Sequence, residues 1–208
     1  MYVIAAVVAG IALGYAFGGR LSRIGGADLR WLPLLYASAA LQFLGSPLQG
    51  MPGLALVLLS FAGLVVFAAA NFHYAGMGVV LVGVLMNFLV IAINGGMPVR
   101  ADAVVEAGIA DRSELDDLDF TAKRHLERDD DTLMVLADII PVPAGPLSQV
   151  LSFGDLVMSV GVADLLVHLM RRPKRIATDA DPPSPSPSPD PAATTQPEPE
   201  ASASTDTG

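Results

Sequence analysis

Two aspartates, Asp138 and Asp155, are the residues whose type and position could do chemistry. Asp138 follows the short apolar segment Leu133-Met134-Val135-Leu136-Ala137 and precedes Ile139-Ile140-Pro141, while Asp155 follows Gly154 at the start of a longer apolar stretch. Two carboxylates held a few ångström apart at a membrane boundary share one proton, because each disfavours ionisation of the other. Such a pair activates water for peptide hydrolysis. The two lie seventeen positions apart, with Pro141, Pro143 and Pro146 between them, which is long enough to let them meet. The bland alternative is that Asp138 anchors its segment and Asp155 caps the helix that it opens. The sequence leaves both open.

Other polar residues in apolar surroundings are Gln42, Asn87, Asn94 and Asp164. An Asp at the centre of a spanning helix costs about 2.5–3.5 kcal/mol, so it should face the protein interior or a partner. Asp164 lies four residues before His168, the spacing of a local acid–imidazole contact. By the 3.6-residue period, Gly76, Gly83, Asn87 and Asn94 fall on nearly one helix face. Asn87 is expected to bond Gln42 on a neighbouring helix, or to line a solute path. The rest of the usual chemistry is missing. His73, His125 and His168 have no metal-ligand spacing, and Asp129 to Asp131 lack the pattern of a calcium loop. With no cysteine in the chain, disulfides, thiolate zinc sites and thiol nucleophiles drop out. No metal and no cofactor is expected.

The elements that must position these residues are membrane helices. The 208 residues are 52% hydrophobic and only 16% charged, with a formal net charge of −9. No Asp, Glu, Lys or Arg occurs from Met1 to Gly19 or from Trp31 to Val99, the latter a run of 69 residues. A core of this size cannot bury that much apolar chain, which excludes a soluble enzyme. A nucleic-acid binder would need a basic surface and is excluded too. A span takes about 20 apolar residues. The pattern predicts helices at 2–19, 31–46, 53–70, 75–94 and 152–170. A cleaved signal peptide would carry basic residues before its apolar run; here the arginines follow it, so residues 2–19 are expected to be retained. Gly10, Gly14 and Gly18 form a doubled G-x-x-x-G, which lets another helix approach closely, within the chain or in a homo-oligomer.

Arg20, Arg23 and Arg30 follow the first helix, and Arg171, Arg172, Lys174 and Arg175 follow the fifth. Five spans put both clusters on the cytoplasmic side, with the N-terminus outside and the C-terminus inside. Residues 95–150 then lie outside, with twelve acidic and five basic residues. Within them the sequence predicts a short helix over Ala101–Ala107, a capping box at Ser113-Glu114-Leu115-Asp116 opening a helix to about Arg128, and a short helix capped by Thr132. Ile139–Gly154 reads as an interfacial or re-entrant stretch. The expected architecture is an all-α integral membrane bundle, 1–172, with an outer helical loop, followed by a basic stop and a disordered Pro/Ser-rich tail, 173–208. Its expected partners are the lipid bilayer and a second copy or another membrane protein, with no nucleic acid.

Several segments together carry a resemblance. They are Gly18-Gly19-Arg20-Leu21-Ser22-Arg23, Leu29-Arg30-Trp31, Asn94-Gly95-Gly96-Met97-Pro98-Val99, Arg124-His125, Thr132, Asp138-Ile139-Ile140-Pro141-Val142-Pro143 and Ser152-Phe153-Gly154-Asp155. The set resembles a family of small bacterial multi-pass membrane proteins known as domain of unknown function 5317, over about residues 1–172. Members of that family tend to have Gly where this chain has Ala137. The resemblance implies a bacterial plasma-membrane location and singles out Gly95, Gly96, Pro98, His125, Thr132, Pro141, Pro143 and Gly154 as motif positions, without implying a reaction. A shorter stretch, Ser152-Phe153-Gly154-Asp155 with Val157, Ser159, Val160 and Gly161, is similar to the last helix of lipoprotein signal peptidase, an aspartic intramembrane protease. That enzyme's upstream Asp lies in an Asn-x-x-Asp-Arg motif, and Asp138 has neither the Asn nor the Arg.

Overall fold

The computed structural model of the chain describes residues 2–118, 120 and 123–172; the tail expected from 173 onward lies outside them. The protein is mostly helical. Its apolar helices are α1 (Tyr2–Ala16), α2 (Leu32–Gly45), α3 (Gly50–Ala70), α4 (Met77–Asn94) and, after the short α5 (Ala101–Glu106), α6 (Phe153–Arg171). Three of them, α3, α4 and α6, are long and apolar enough to cross a membrane, while α1 and α2 are shorter. Leu59, Val66, Leu85, Leu89, Ile93 and Val160 face outward, whereas Ser38, Ser60, Asn71 and Asn87 are buried. Water would not tolerate that distribution over contiguous helix faces; lipid does.

Small residues set the helix contacts. A Cβ on Gly83 would stand 2.5 Å from the Met158 backbone nitrogen, and one on Gly76 2.5 Å from that of Leu165. Gly154 and Gly161 make the reciprocal contacts with α4, so α4 and α6 run antiparallel with their backbones in touch at two points seven residues apart. Gly10 meets Ala163 and Gly14 meets Met170, so α1 runs parallel to α6. The doubled glycine motif thus serves packing within the chain. Its third member, Gly18, has open space around it, and Gly19 makes the contact with Met170 instead. Gly63 receives Ser38 and Gly45 receives Leu56, which makes α2 antiparallel to α3. Val57 and Phe61 cluster with Val90 and Ile91, and Phe67 and Ala68 with Tyr74 and Met77, so α3 is antiparallel to α4. Accordingly α1, α3 and α6 point one way, and α2 and α4 the other.

The end of α3 and the end of α4 are each tied by an asparagine that closes a two-way amide pair with distant backbone. Beyond α3, Asn71 accepts from the Arg30 N–H and donates to the Arg30 carbonyl, both at 2.8 Å. At the end of α4, Asn94 accepts from the Thr132 N–H at 2.8 Å and donates to its carbonyl at 3.0 Å. Gly95, at φ 69°, stops α4 in the left-handed conformation and, with Gly96, donates to the Ile91 carbonyl, as helix C-termini commonly do.

The segment between α4 and α6 departs from the expected run of short helices. It forms two pairs of three-residue strands. β1 (Met97–Val99) pairs in parallel with β2 (Arg124–Leu126), Pro98 opposite His125, and Asp138 bridges to the other side of Val99. β3 (Ile140–Val142) pairs antiparallel with β4 (Gln149–Leu151), Pro141 opposite Val150. The expected helix from Ser113 to Arg128 is a 3₁₀ turn over Arg112–Asp117, and its capping box is Asp111 with Glu114. The turn after Thr132 is likewise 3₁₀, over Met134–Leu136. Within the Ile139–Gly154 stretch, residues 140–151 form a hairpin. Val99, Ala103, Val104, Ala107, Leu115 and Val150 give this cap its own small core. Because α4 and α6 touch through glycine, Gly83→Ala is expected to destabilise the bundle by about 1–3 kcal/mol, the usual penalty for overpacking. Gly25→Ala, with nothing within 4 Å of the added methyl, should leave stability unchanged. Equilibrium unfolding in detergent micelles checks both.

Candidate functional site

Four of the buried polar residues, Asn87, Asp138, Ser152 and Asp155, gather where α4 and α6 meet the cap. α6 opens with a capping box: the Ser152 hydroxyl accepts from the Asp155 N–H at 3.0 Å, and Asp155 Oδ2 accepts from the Ser152 N–H at 3.3 Å. Asn87 closes the ring from α4. Its Nδ2 donates to Asp155 Oδ1 at 2.7 Å, and its Oδ1 accepts from the Ser152 hydroxyl at 2.9 Å. Tyr2 of α1 lies beside Asp155. Gly154 is required, because a Cβ there would collide with Asn87 Oδ1. All three residues of the ring are at most 4% exposed. The expected Asn87–Gln42 bond is absent: Asn87 faces α6, and Gln42 lines a cleft beside the end of α2.

Asp138 is 1% exposed and belongs to the cap. Its N–H donates to the Pro98 carbonyl and its own carbonyl accepts from the Arg100 N–H, both at 3.0 Å. Its carboxylate meets Arg124 Nε at 2.8 Å, although the guanidinium N–H does not aim squarely at the oxygen. Arg124 also donates to the Val150 carbonyl at 3.3 Å, so one arginine ties β2 to both Asp138 and β4. Burial is the largest influence on Asp138 and raises it to about 6; Arg124 works against the rise and Asp155 adds to it. The two aspartates are therefore electrostatic neighbours. Lys123 is the fourth charge. Burial first, then the Arg124 charge beside it, hold its ammonium below the ordinary lysine range, while Asp155 and Asp138 oppose that shift.

The remaining candidates separate from this cluster. Asp164 and His168 make the expected contact, at 3.1 Å, but both are exposed. Asn94 holds Thr132 and does not join Asn87. His125 Nδ1 contacts the Leu126 carbonyl at 2.8 Å, and its Nε2 lies 3.6 Å from Asp131. Pro98 is fully buried in β1, and Pro141 and Pro143 belong to the hairpin of β3 and β4. Among the described residues no three His, Asp or Glu side chains converge as a metal would need. Sequence reasoning missed Tyr2 and Lys123, and gave Arg124 and Ser152 only as motif residues without a role. The available signals were the basic pair Lys123-Arg124 inside an acid-rich segment and the Ser-x-x-Asp spacing of Ser152 and Asp155.

The Asp138 shift has a sign that can be tested. Its pKa is about 6 in the folded protein against an ordinary value of 3.8, so folding favours the protonated form. The stabilisation is fully present below 3.8 and is lost as pH rises through 6. Wild type should therefore lose stability relative to Asp138→Asn between pH 4 and 7, by up to about 3 kcal/mol. At pH 7 the carboxylate is mostly ionised and the Arg124 pair is made. A stability difference that moves the opposite way over this range, measured by unfolding in micelles, would refute the assignment.

The family of unknown function DUF5317 matches residues 27–167 of this chain. No curated protein and no solved structure matches it. The match spans more than half of the sequence and takes in the cap, the Asn87–Ser152–Asp155 ring and Asp138, and the chain belongs to the family of unknown function DUF5317.

Proposed function

We propose that this protein is a five-span component of the bacterial plasma membrane, with its N-terminus and cap outside and its C-terminus in the cytoplasm, and that it works in membrane assembly rather than catalysis. The alternating helix directions support five crossings: they bring Arg20, Arg23, Arg30, Arg171 and Arg172 to one end and the acid-rich cap to the other. The observation that carries the non-catalytic reading is the state of Asp155. Both of its oxygens are already engaged inside the protein, one by Asn87 and one by the Ser152 N–H. A carboxylate so held serves its helix cap. Asp138 is likewise committed to Arg124. Backbone contact of α4 with α6 also speaks against a solute path along Asn87, and favours assembly over transport. In this reading the partners are lipid and a second membrane protein, either another copy or a different chain.

One observation favours the aspartic hydrolase instead. Asp138 is pushed up to about 6 in part by Asp155, which is the coupling that two acids sharing a proton would have.

Two experiments test these readings, one the orientation and one the choice between assembly and hydrolysis. The chain has no cysteine, so single replacements report topology cleanly. On intact cells, a membrane-impermeant maleimide should label Ser113→Cys but reach Gly25→Cys only after permeabilisation; the reverse pattern would overturn the proposed orientation. In a deletion strain with a scorable phenotype, Asp155→Asn and Asp138→Asn should lower function only as far as they lower folded abundance. Opening one buried hydrogen-bond set costs about 1–3 kcal/mol. Loss of function with both variants at wild-type abundance would establish the hydrolase and end the assembly reading.

A further inference from the structure

A cleft of about 670 Å³ lies beside the last turns of α2, lined by Ala39, Gln42, Phe43, Ser46, Pro47 and Lys123. That volume is in the range of ligand pockets, which are mostly apolar with a few convergent polar groups. Its polar groups are of one kind. Gln42 and Ser46 stand four apart, on one face of α2, and Lys123 reaches them from the cap. Among the described residues no carboxylate lines the cleft. Asp138 and Asp155, the acids that act on Lys123 from a distance, are bound to Arg124 and to Asn87 and Ser152 respectively. Among the described residues Lys123 is in no ion pair, and its ammonium instead lies 5.7 Å from the Phe61 ring centroid. Phe61 is buried among Val57, Val84 and Val90, so the cation is held against the apolar bundle. An ionisable group in that position is costly and marks a site by default.

The other wall of the cleft is greasy and open. Ala39, Phe43 and Pro47 form it, and Phe43 is 80% exposed. A free inorganic anion would gain nothing from such a wall. We propose that this cleft binds an anionic lipid of the outer leaflet, its phosphate held by Lys123, Gln42 and Ser46 and an acyl chain laid along Ala39 and Phe43. The ligand supplies the counter-charge that Lys123 lacks among the described residues, and the exposed phenyl ring becomes part of the lipid contact.

A tryptophan at the cleft reads this directly. In the full-length protein carrying Phe43→Trp and Trp31→Phe, reconstituted in phosphatidylcholine vesicles, tail-brominated phosphatidylglycerol should quench the fluorescence at a low lipid fraction. Lys123→Gln should raise the half-quenching fraction about tenfold, the loss of one charge-assisted hydrogen bond, and Lys123→Arg should restore it. Ala39→Phe, which fills the cleft and leaves the charge in place, should weaken quenching similarly in protein of unchanged helicity. Equal quenching by brominated phosphatidylcholine would mean bulk lipid only and would overturn the proposal. So would relief of quenching by inorganic phosphate, which would assign the site to a free anion, or quenching that survives both Lys123→Gln and Ala39→Phe.

Discussion

The backbone contact between α4 and α6 is the constraint on which the rest depends. Helices in lipid gain little from burying apolar side chains against each other, so close van der Waals approach and hydrogen bonds must hold them. Here Gly76 and Gly83 on one helix meet Gly161 and Gly154 on the other, at matching intervals of seven. A seven-residue interval returns each glycine to nearly the same face, and two matched pairs fix both register and direction. Asn87, one turn beyond Gly83, is thereby delivered to the start of α6, where it bonds Ser152 and Asp155 together. The same register sets Gly154 beneath Asn87, where any side chain would obstruct it.

That arrangement explains how an aspartate can be so deeply placed. The first turn of any helix leaves N–H groups without intrahelical partners, and in a membrane no water is at hand to receive them. Ser152 and Asp155 answer this need for α6, and the negative charge lies at the positive end of the helix dipole. Asn87 then converts a local cap into a bond between helices. Asp155 thus offsets its desolvation through contacts that also orient α6 against α4 and, through Tyr2, against α1. Asp138 does comparable work in the cap, where its backbone extends β1 and its side chain gathers Arg124. Between these two anchors the cap is fastened to the bundle at Asn94, at β1 and at the head of α6.

How much of this was legible follows from the range of each interaction. The helices were readable because uncharged runs and their punctuation are local. Ser46-Pro47 and Asn71 to Tyr74 mark turns, and the observed ends fall within a few residues of those expected. The Ser152–Asp155 cap was readable as an alternative for the same reason. The cap was not. Three-residue strands are too short to express alternation, and Pro141 reads as a breaker although it is tolerated at the edge of a hairpin. The parallel pairing that sets Pro98 opposite His125 joins segments 27 residues apart, and without it Arg124 could not be named as the partner of Asp138. Asn87 was placed on the correct face with the wrong partner. A helical period gives the face; only the chain's topology says that α6, and not α2, lies across from it.

The uneven packing of the helices bears on where activity resides. α6 is held on one side by α1 and on another by α4, through glycines on both, and its polar groups are spent in doing so. α2 packs chiefly against α3, along Ser38–Gly63 and Gly45–Leu56, and leaves Tyr36 and Phe43 exposed. Binding needs groups that still have something to gain, and the groups of the central ring are satisfied by one another. Lys123 is the exception within that neighbourhood: it shares the field of Asp138 and Asp155 but points toward the loosely packed side. The two acids therefore act less as reagents than as a fixed background that opposes the effect of burial on the Lys123 ammonium at the edge of the bundle.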